Sequence, residues 1–192
     1  MLLLGVVQAQ AIGVTPVVAA GSFDLLQSEV LTSSAASVTS SGLSAYAADY
    51  QHLQIRAAIR QTASNTVQNV YMRFNGDTSS AYNRHVMFGE GSVVNAYGYT
   101  NTTFVALGYS TSGNSTAGAY GAEVCDIFDA FNTSKFKTTR SMDGLTGGYN
   151  LAGIHSGAWR NLSAIDSITL FSESSTLATS SRISLYGVKK AA

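Results

Sequence analysis

His52-Leu53-Gln54-Ile55-Arg56-Ala57-Ala58-Ile59-Arg60 decides the reading of this chain. Leu53, Ile55, Ala57 and Ile59 fall on one face and Gln54, Arg56 and Arg60 on the other, the period of two that marks a half-buried strand. Downstream, Val70, Met72 and Phe74 repeat the pattern with Tyr71 and Arg73 opposite, and Asn75-Gly76-Asp77 supplies a turn of the hairpin type. Further strand-like runs are Phe23–Leu31, His85–Phe88, Phe104–Leu107, Tyr120–Phe128, Lys135–Ser141, Leu151–Trp159, Ile165–Phe171 and Arg182–Val188. Polar, Gly- and Ser-rich separators lie between them at Gly108–Gly118, Asp143–Gly148 and Ser172–Ser181. The best helical pattern, Leu43–Tyr50, is about two turns long and too short to stand without tertiary packing. No strand alternates with a long helix, as a parallel α/β sheet requires. The expectation is an all-β fold, an antiparallel β-sandwich or jelly roll of about ten short strands.

Upstream of this body, residues 1–21 read as an extended N-terminal arm. Met1-Leu2-Leu3-Leu4-Gly5-Val6-Val7 is the most apolar segment, Ile12, Val14, Val17 and Val18 continue it, and no charge appears before Asp24. A secretory leader would open on Lys or Arg, and Gln8, Gln10, Thr15 and Pro16 interrupt the apolar core such a leader needs. The same residues break the roughly 20 apolar positions of a membrane span, so no membrane partner is expected. Leu2, Leu3, Leu4, Val6, Val7, Ile12, Val14, Val17 and Val18 are the expected contacts of an attachment arm, tied to a partner chain or to the body because free termini fray. Residues 22–192 then make a single β-sandwich domain, with no repeat or linker dividing it.

Charge narrows the function classes. Only 11% of the residues are charged and the formal net charge is +0. No basic excess exists to neutralise phosphates, so a nucleic-acid partner is not expected. A neutral, hydroxyl-rich surface without self-repulsion favours assembly.

Catalytic material is sparse. Cys125 is the single cysteine, which excludes an internal disulfide; its neighbours Glu123 and Asp126 would raise the thiol rather than activate it. His52, His85 and His155 are scattered, and Asp49 alone stands at ligand spacing from one of them, so no metal or cofactor is expected. No Gly-x-Ser-x-Gly elbow or phosphate loop occurs. Asp126 and Asp129 could join Glu123 in a carboxylate site, but the simpler reading gives Asp129 a turn and Asp126 hydrogen bonds to backbone or Arg. No enzyme is expected. Tyr97, Tyr99 and Tyr109, in Gly-punctuated segments beside strand ends, offer broad contact faces suited to a subunit interface or a sugar. Gly108–Gly118 reads as a mobile tip. Trp159 reads as a core or interface anchor, and the N-x-[ST] triplets at Asn101, Asn114, Asn132 and Asn161 carry no weight in so Ser/Thr-rich a chain.

The order Phe23-Asp24-Leu25-Leu26, Tyr50-Gln51-His52-Leu53-Gln54-Ile55-Arg56, Arg73-Phe74-Asn75-Gly76-Asp77, Asp126-Ile127-Phe128-Asp129 and Ser156-Gly157-Ala158-Trp159-Arg160-Asn161, closing on Arg182-Ile183-Ser184-Leu185-Tyr186-Gly187-Val188-Lys189, resembles small β-structured virion proteins of tailed bacteriophages. The resemblance spans most of residues 23–189. It implies a particle component on the outer surface of the capsid: a decoration (cement) protein, commonly a homotrimer, bound to the major capsid protein. The alternative it implies is a trimeric head or tail fibre recognising a host-surface glycan, with Tyr97, Tyr99, Tyr109 and the Gly108–Gly118 loop at its tip. No catalytic residue comes with it.

Overall fold

Strand β3 (Tyr50–Ile59) contains the deciding stretch, with Leu53, Ile55 and Ile59 buried as the alternation requires. The protein is seen as a computed structural model that describes residues 22–190; the arm over 1–21 and its expected contact residues lie outside the described residues. The other strands are β1 (Phe23–Val30), β2 (Ser37–Ser41), β4 (Val67–Phe74), β5 (Tyr82–Glu90), β6 (Val93–Thr102), β7 (Val105–Thr111), β8 (Gly121–Phe128), β9 (Lys137–Leu145), β10 (Leu151–Trp159), β11 (Ser167–Phe171) and β12 (Arg182–Lys189). All pair antiparallel, into an eight-stranded sheet ordered β1-β12-β3-β8-β9-β10-β5-β6 and a four-stranded sheet ordered β2-β11-β4-β7. The fold is an antiparallel β-sandwich.

Its winding is that of a jelly roll. Between β2 and β11 the chain sends β2, β4, β7 and β11 to the small sheet and β3, β5, β6 and β8 to the large one, crossing repeatedly as two interlocked Greek keys do. The β9–β10 hairpin is inserted between β8 and β5, and β12 and β1 extend the sheet beyond β3. In β8, β9 and β10 every second residue is buried, so one face of these strands meets the small sheet while the other faces out.

Val70, Met72 and Phe74 of β4 join Leu53, Ile55, Leu107, Ile127, Ile168 and Leu185 in one core. Trp159 anchors one end, 5.5 Å from the Phe74 ring and 6.2 Å from the Tyr82 ring, and its indole N–H donates to Asp77 Oδ2 at 2.7 Å. Burial pushes the Asp77 carboxyl up, but donors from Ser79 and Trp159 outweigh it and leave the group below its usual range.

Several sequence expectations change. The Asn75-Gly76 turn is present, with both residues at positive φ (51° and 64°), but it carries the chain from the small sheet to the large one instead of closing a hairpin. Leu43–Tyr50 is not a helix: one 3-10 turn covers Leu43–Tyr46 and Tyr50 already belongs to β3. Gly108–Thr111 are the second half of β7, and Asp143–Leu145 end β9. What remains of the expected loose tip is clamped: the Arg60 guanidinium donates to the carbonyls of Gly113, Ser115, Thr116 and Ala119 at 2.9–3.1 Å. β2 and β6 had no counterpart among the expected strands.

Candidate functional site

The outward face of the large sheet is the most distinctive surface. Register places Val124, Met142, Ile154, Met87 and Ala96 side by side across β8, β9, β10, β5 and β6. The adjacent row reads Ala122, Gly144, Ala152, Gly89 and Val94. Across these five strands neither row has a charged residue; on the β3 side the first row runs on into Arg56. Val124 is 43% exposed, Met142 63%, Ile154 45%, Met87 46% and Val94 71%. Fully burying such a side chain is worth about 1.5–3 kcal/mol, so five half-exposed ones leave roughly 4–8 kcal/mol unrealised in one patch. Isolated exposed apolar residues are ordinary, whereas these two contiguous rows form one continuous apolar patch. A shallow hollow of about 300 Å³ lies among Met87, Val94, Met142, Ala152 and Ile154. The next row, Asp126, Arg140, Ser156, His85 and Gly98, forms a polar border. Arg140 pairs with Asp126 there at 3.5 Å.

Glu123 and Asp126 therefore lie on opposite faces, and the expected Glu123–Asp126–Asp129 grouping does not form. Asp126 accepts from the Gln54 amide at 2.8 Å. Asp129 sits in the left-handed region (φ 51°) after β8, bound by Gln51 and Lys135; these bonds hold its carboxyl below the usual range against partial burial. Its own N–H donates to His52 Nδ1 at 2.8 Å.

Glu123 instead opposes Asp143 on the buried face. Asp143 Oδ1 is 2.7 Å from His155 Nε2, and neither side chain reaches solvent. Among the described residues the Glu123 oxygens, Asp143 Oδ2, Ser141 Oγ and His155 Nδ1 have no hydrogen-bond partner. Burial, then the facing Asp143, pushes the Glu123 carboxyl well above its usual range, toward the neutral form. Gly108 and Gly153 make room: a Cβ on Gly108 would lie 2.8 Å from Asp143 Cβ, and one on Gly153 2.5 Å from Asp143 Oδ1. Periodicity alone could have placed Glu123 and Asp143 inward, since each stands between buried neighbours two residues away. Cys125 is buried, and burial, with Asp126 adding to it, pushes its thiol to about 12. Among the described residues no His, Cys, Asp and Glu form a metal-holding group.

The three tyrosines divide. Tyr97 and Tyr99 lie within β6, on the face turned toward the small sheet, and are 48% and 40% exposed. Tyr109 lies in β7, not on a distal loop; it packs on His155 and Phe88 at ring separations of 5.4 and 5.2 Å, and burial pushes its phenol to about 12. Phe88 also meets Tyr97 at 6.2 Å, and the Arg84 guanidinium lies 4.0 Å from the Tyr99 ring centroid and 5.3 Å from those of Tyr71 and Phe104. Tyr71 and Phe104 belong to the outward side of the small sheet, so the β5–β6 ribbon curls around β7 and leaves an aromatic shelf past its edge.

Fold and surface together define an all-β jelly-roll sandwich whose outward sheet face carries an uncharged apolar patch bordered by Arg56, Asp126 and Arg140. No family model and no curated protein matches the chain. A search of solved structures finds the CBM40 of Ruminococcus gnavus IT-sialidase bound to α2,3-sialyllactose, at 14% identity over 87% of this chain and 93% of that one, with a TM-score of 0.27. A likeness at that score carries no argument about what this chain binds.

Proposed function

We propose that this chain is a structural protein on the outer surface of a tailed-phage particle, a decoration protein whose outward sheet face packs on the major capsid protein and holds neighbouring shell subunits together. The observation that carries the reading is the uncharged double row through Val124, Met142, Ile154, Met87 and Val94. The low charge of the chain and the resemblance of residues 23–189 to virion proteins supply the setting. The work is adhesion: no acid–base pair or cofactor is needed. Binding purified protein to shells stripped of it tests the reading. Wild type should co-sediment at a copy number matching the shell subunits, and Met142→Lys with Ile154→Lys should stay in the supernatant. Undiminished binding of that double variant would defeat this assignment of the face.

One observation favours a second reading. Tyr97, Tyr99 and Arg84 form an open aromatic and cationic shelf, the kind of surface on which a glycan ring stacks in a fibre-type protein. Tyr109 is no part of it. Loss of host adsorption in Tyr97→Ala with Tyr99→Ala, on particles that remain intact, would support this reading over the first.

A further inference from the structure

One edge of the large sheet is β6, and over Val93–Tyr99 it lacks the devices that keep sheet edges apart; its one bulge, with Asn101 at positive φ, falls beyond Tyr99. Its sequence, VVNAYGYTNT, has no charged residue and no proline, and eight of its ten residues are exposed. It pairs with β5 along one side only, leaving the outward N–H and C=O groups of the other side without a strand among the described residues. Such an edge is a template for another strand unless charge, proline or a covering segment blocks it. The opposite edge, β1, carries Asp24 and Glu29, and Asp24 is paired with Lys189 at 3.0 Å.

We propose that β6 pairs antiparallel with β6 of a second copy of this chain, about a two-fold axis at Ala96, so that the large sheet continues across two molecules. An antiparallel contact between identical strands is self-complementary and closes as a pair. Centring it on Ala96 sets Val94 opposite Gly98, Asn95 opposite Tyr97, and Val93 opposite Tyr99. The Val93–Tyr99 match joins a β-branched and an aromatic side chain, a favourable cross-strand pair, and no like charges meet. The row Met142, Ile154, Met87, Ala96 ends at this axis. Pairing therefore joins the outward faces of two copies into one surface. The symmetry is two-fold, unlike the trimer implied by the resemblance, and the inference stands whether or not the chain works in a virion.

Light scattering on the full chain over a range of concentrations tests it. Wild type should reach twice the 20.1 kDa chain mass. Val94→Lys with Ala96→Lys, which sets lysines near the axis on exposed positions, should remain single with an unchanged circular-dichroism spectrum. Ala96→Cys should give a disulfide-linked pair on mild oxidation, with buried Cys125 contributing none. Single chains at every wild-type concentration, a three-chain mass, or a pair that survives the lysines would overturn the proposal; an Ala96→Cys pair that fails to cross-link would overturn the register.

Discussion

Replacing Glu123 with glutamine should stabilise the protein, and by more as pH rises. In the folded chain Glu123 is buried facing Asp143, a setting that holds its carboxyl well above its ordinary value of 4.5. The unfolded chain releases the carboxyl proton once pH passes the ordinary value. The folded state therefore binds more protons, and its stability falls as pH rises from the unfolded toward the folded value. Each pH unit inside that window costs on the order of 1 kcal/mol, so wild type should lose ground to Glu123→Gln steadily as pH rises above the ordinary glutamate value. Glutamine has no such linkage, and it offers an amide donor on the side of Asp143, whose Oδ2 has no partner among the described residues. Urea unfolding of both proteins at several pH values measures the difference directly. Parallel stability curves would refute the assignment of a neutral, buried Glu123.

Three more outcomes are expected. Lys137 donates to the carbonyls of Asn132, Lys135 and Leu162 at 2.6–3.2 Å; Lys137→Met should cost about 1–3 kcal/mol in denaturant unfolding because three partly buried carbonyls lose their shared donor. Trp159→Phe removes the donor to Asp77 and part of the packing against Phe74 and Tyr82, and should lower stability by about 2–3 kcal/mol on the same measurement. The Cys125 thiol, pushed to about 12, should resist a thiol reagent at neutral pH until denaturant opens the fold, and rapid labelling of native protein would contradict its burial.

Most strands were legible because their side chains alternate. Leu151–Trp159 matches β10 in full, and Arg182–Val188 falls one residue short of the end of β12. β6 was missed because a strand exposed on nearly every residue has no burial alternation to read, and its Gly98 and Asn101 resemble loop punctuation. β7 was cut short at Gly108 for the opposite reason. Gly108 is glycine because Asp143 and Glu123 crowd the space a Cβ would take, and Ser110 and Thr111 are buried hydroxyls bound by Gln61 and the Ala119 carbonyl. Composition cannot separate a buried, hydrogen-bonded serine from a solvated one. For the surface, Val124, Met142, Ile154 and Met87 are each visible as an apolar residue, but only the register of four strands brings them into line.

That register follows from one feature of the topology. A jelly roll with matched sheets would set the four strands of the small sheet over β3, β8, β5 and β6, covering the inner face. Inserting the β9–β10 hairpin moves β5 and β6 two strands outward, beyond β7, and the small sheet gains nothing to follow them. Phe88, Tyr97, Tyr99 and Arg84 fill the resulting overhang with aromatic and guanidinium planes in place of a second layer. The same insertion supplies Met142 and Ile154 to the outward face, joining Val124 on one side to Met87 and Val94 on the other. Widening the sheet thus accounts for both the apolar face and the bare edge beside it: a large sheet outgrowing its cover exposes strand faces and a terminal strand together.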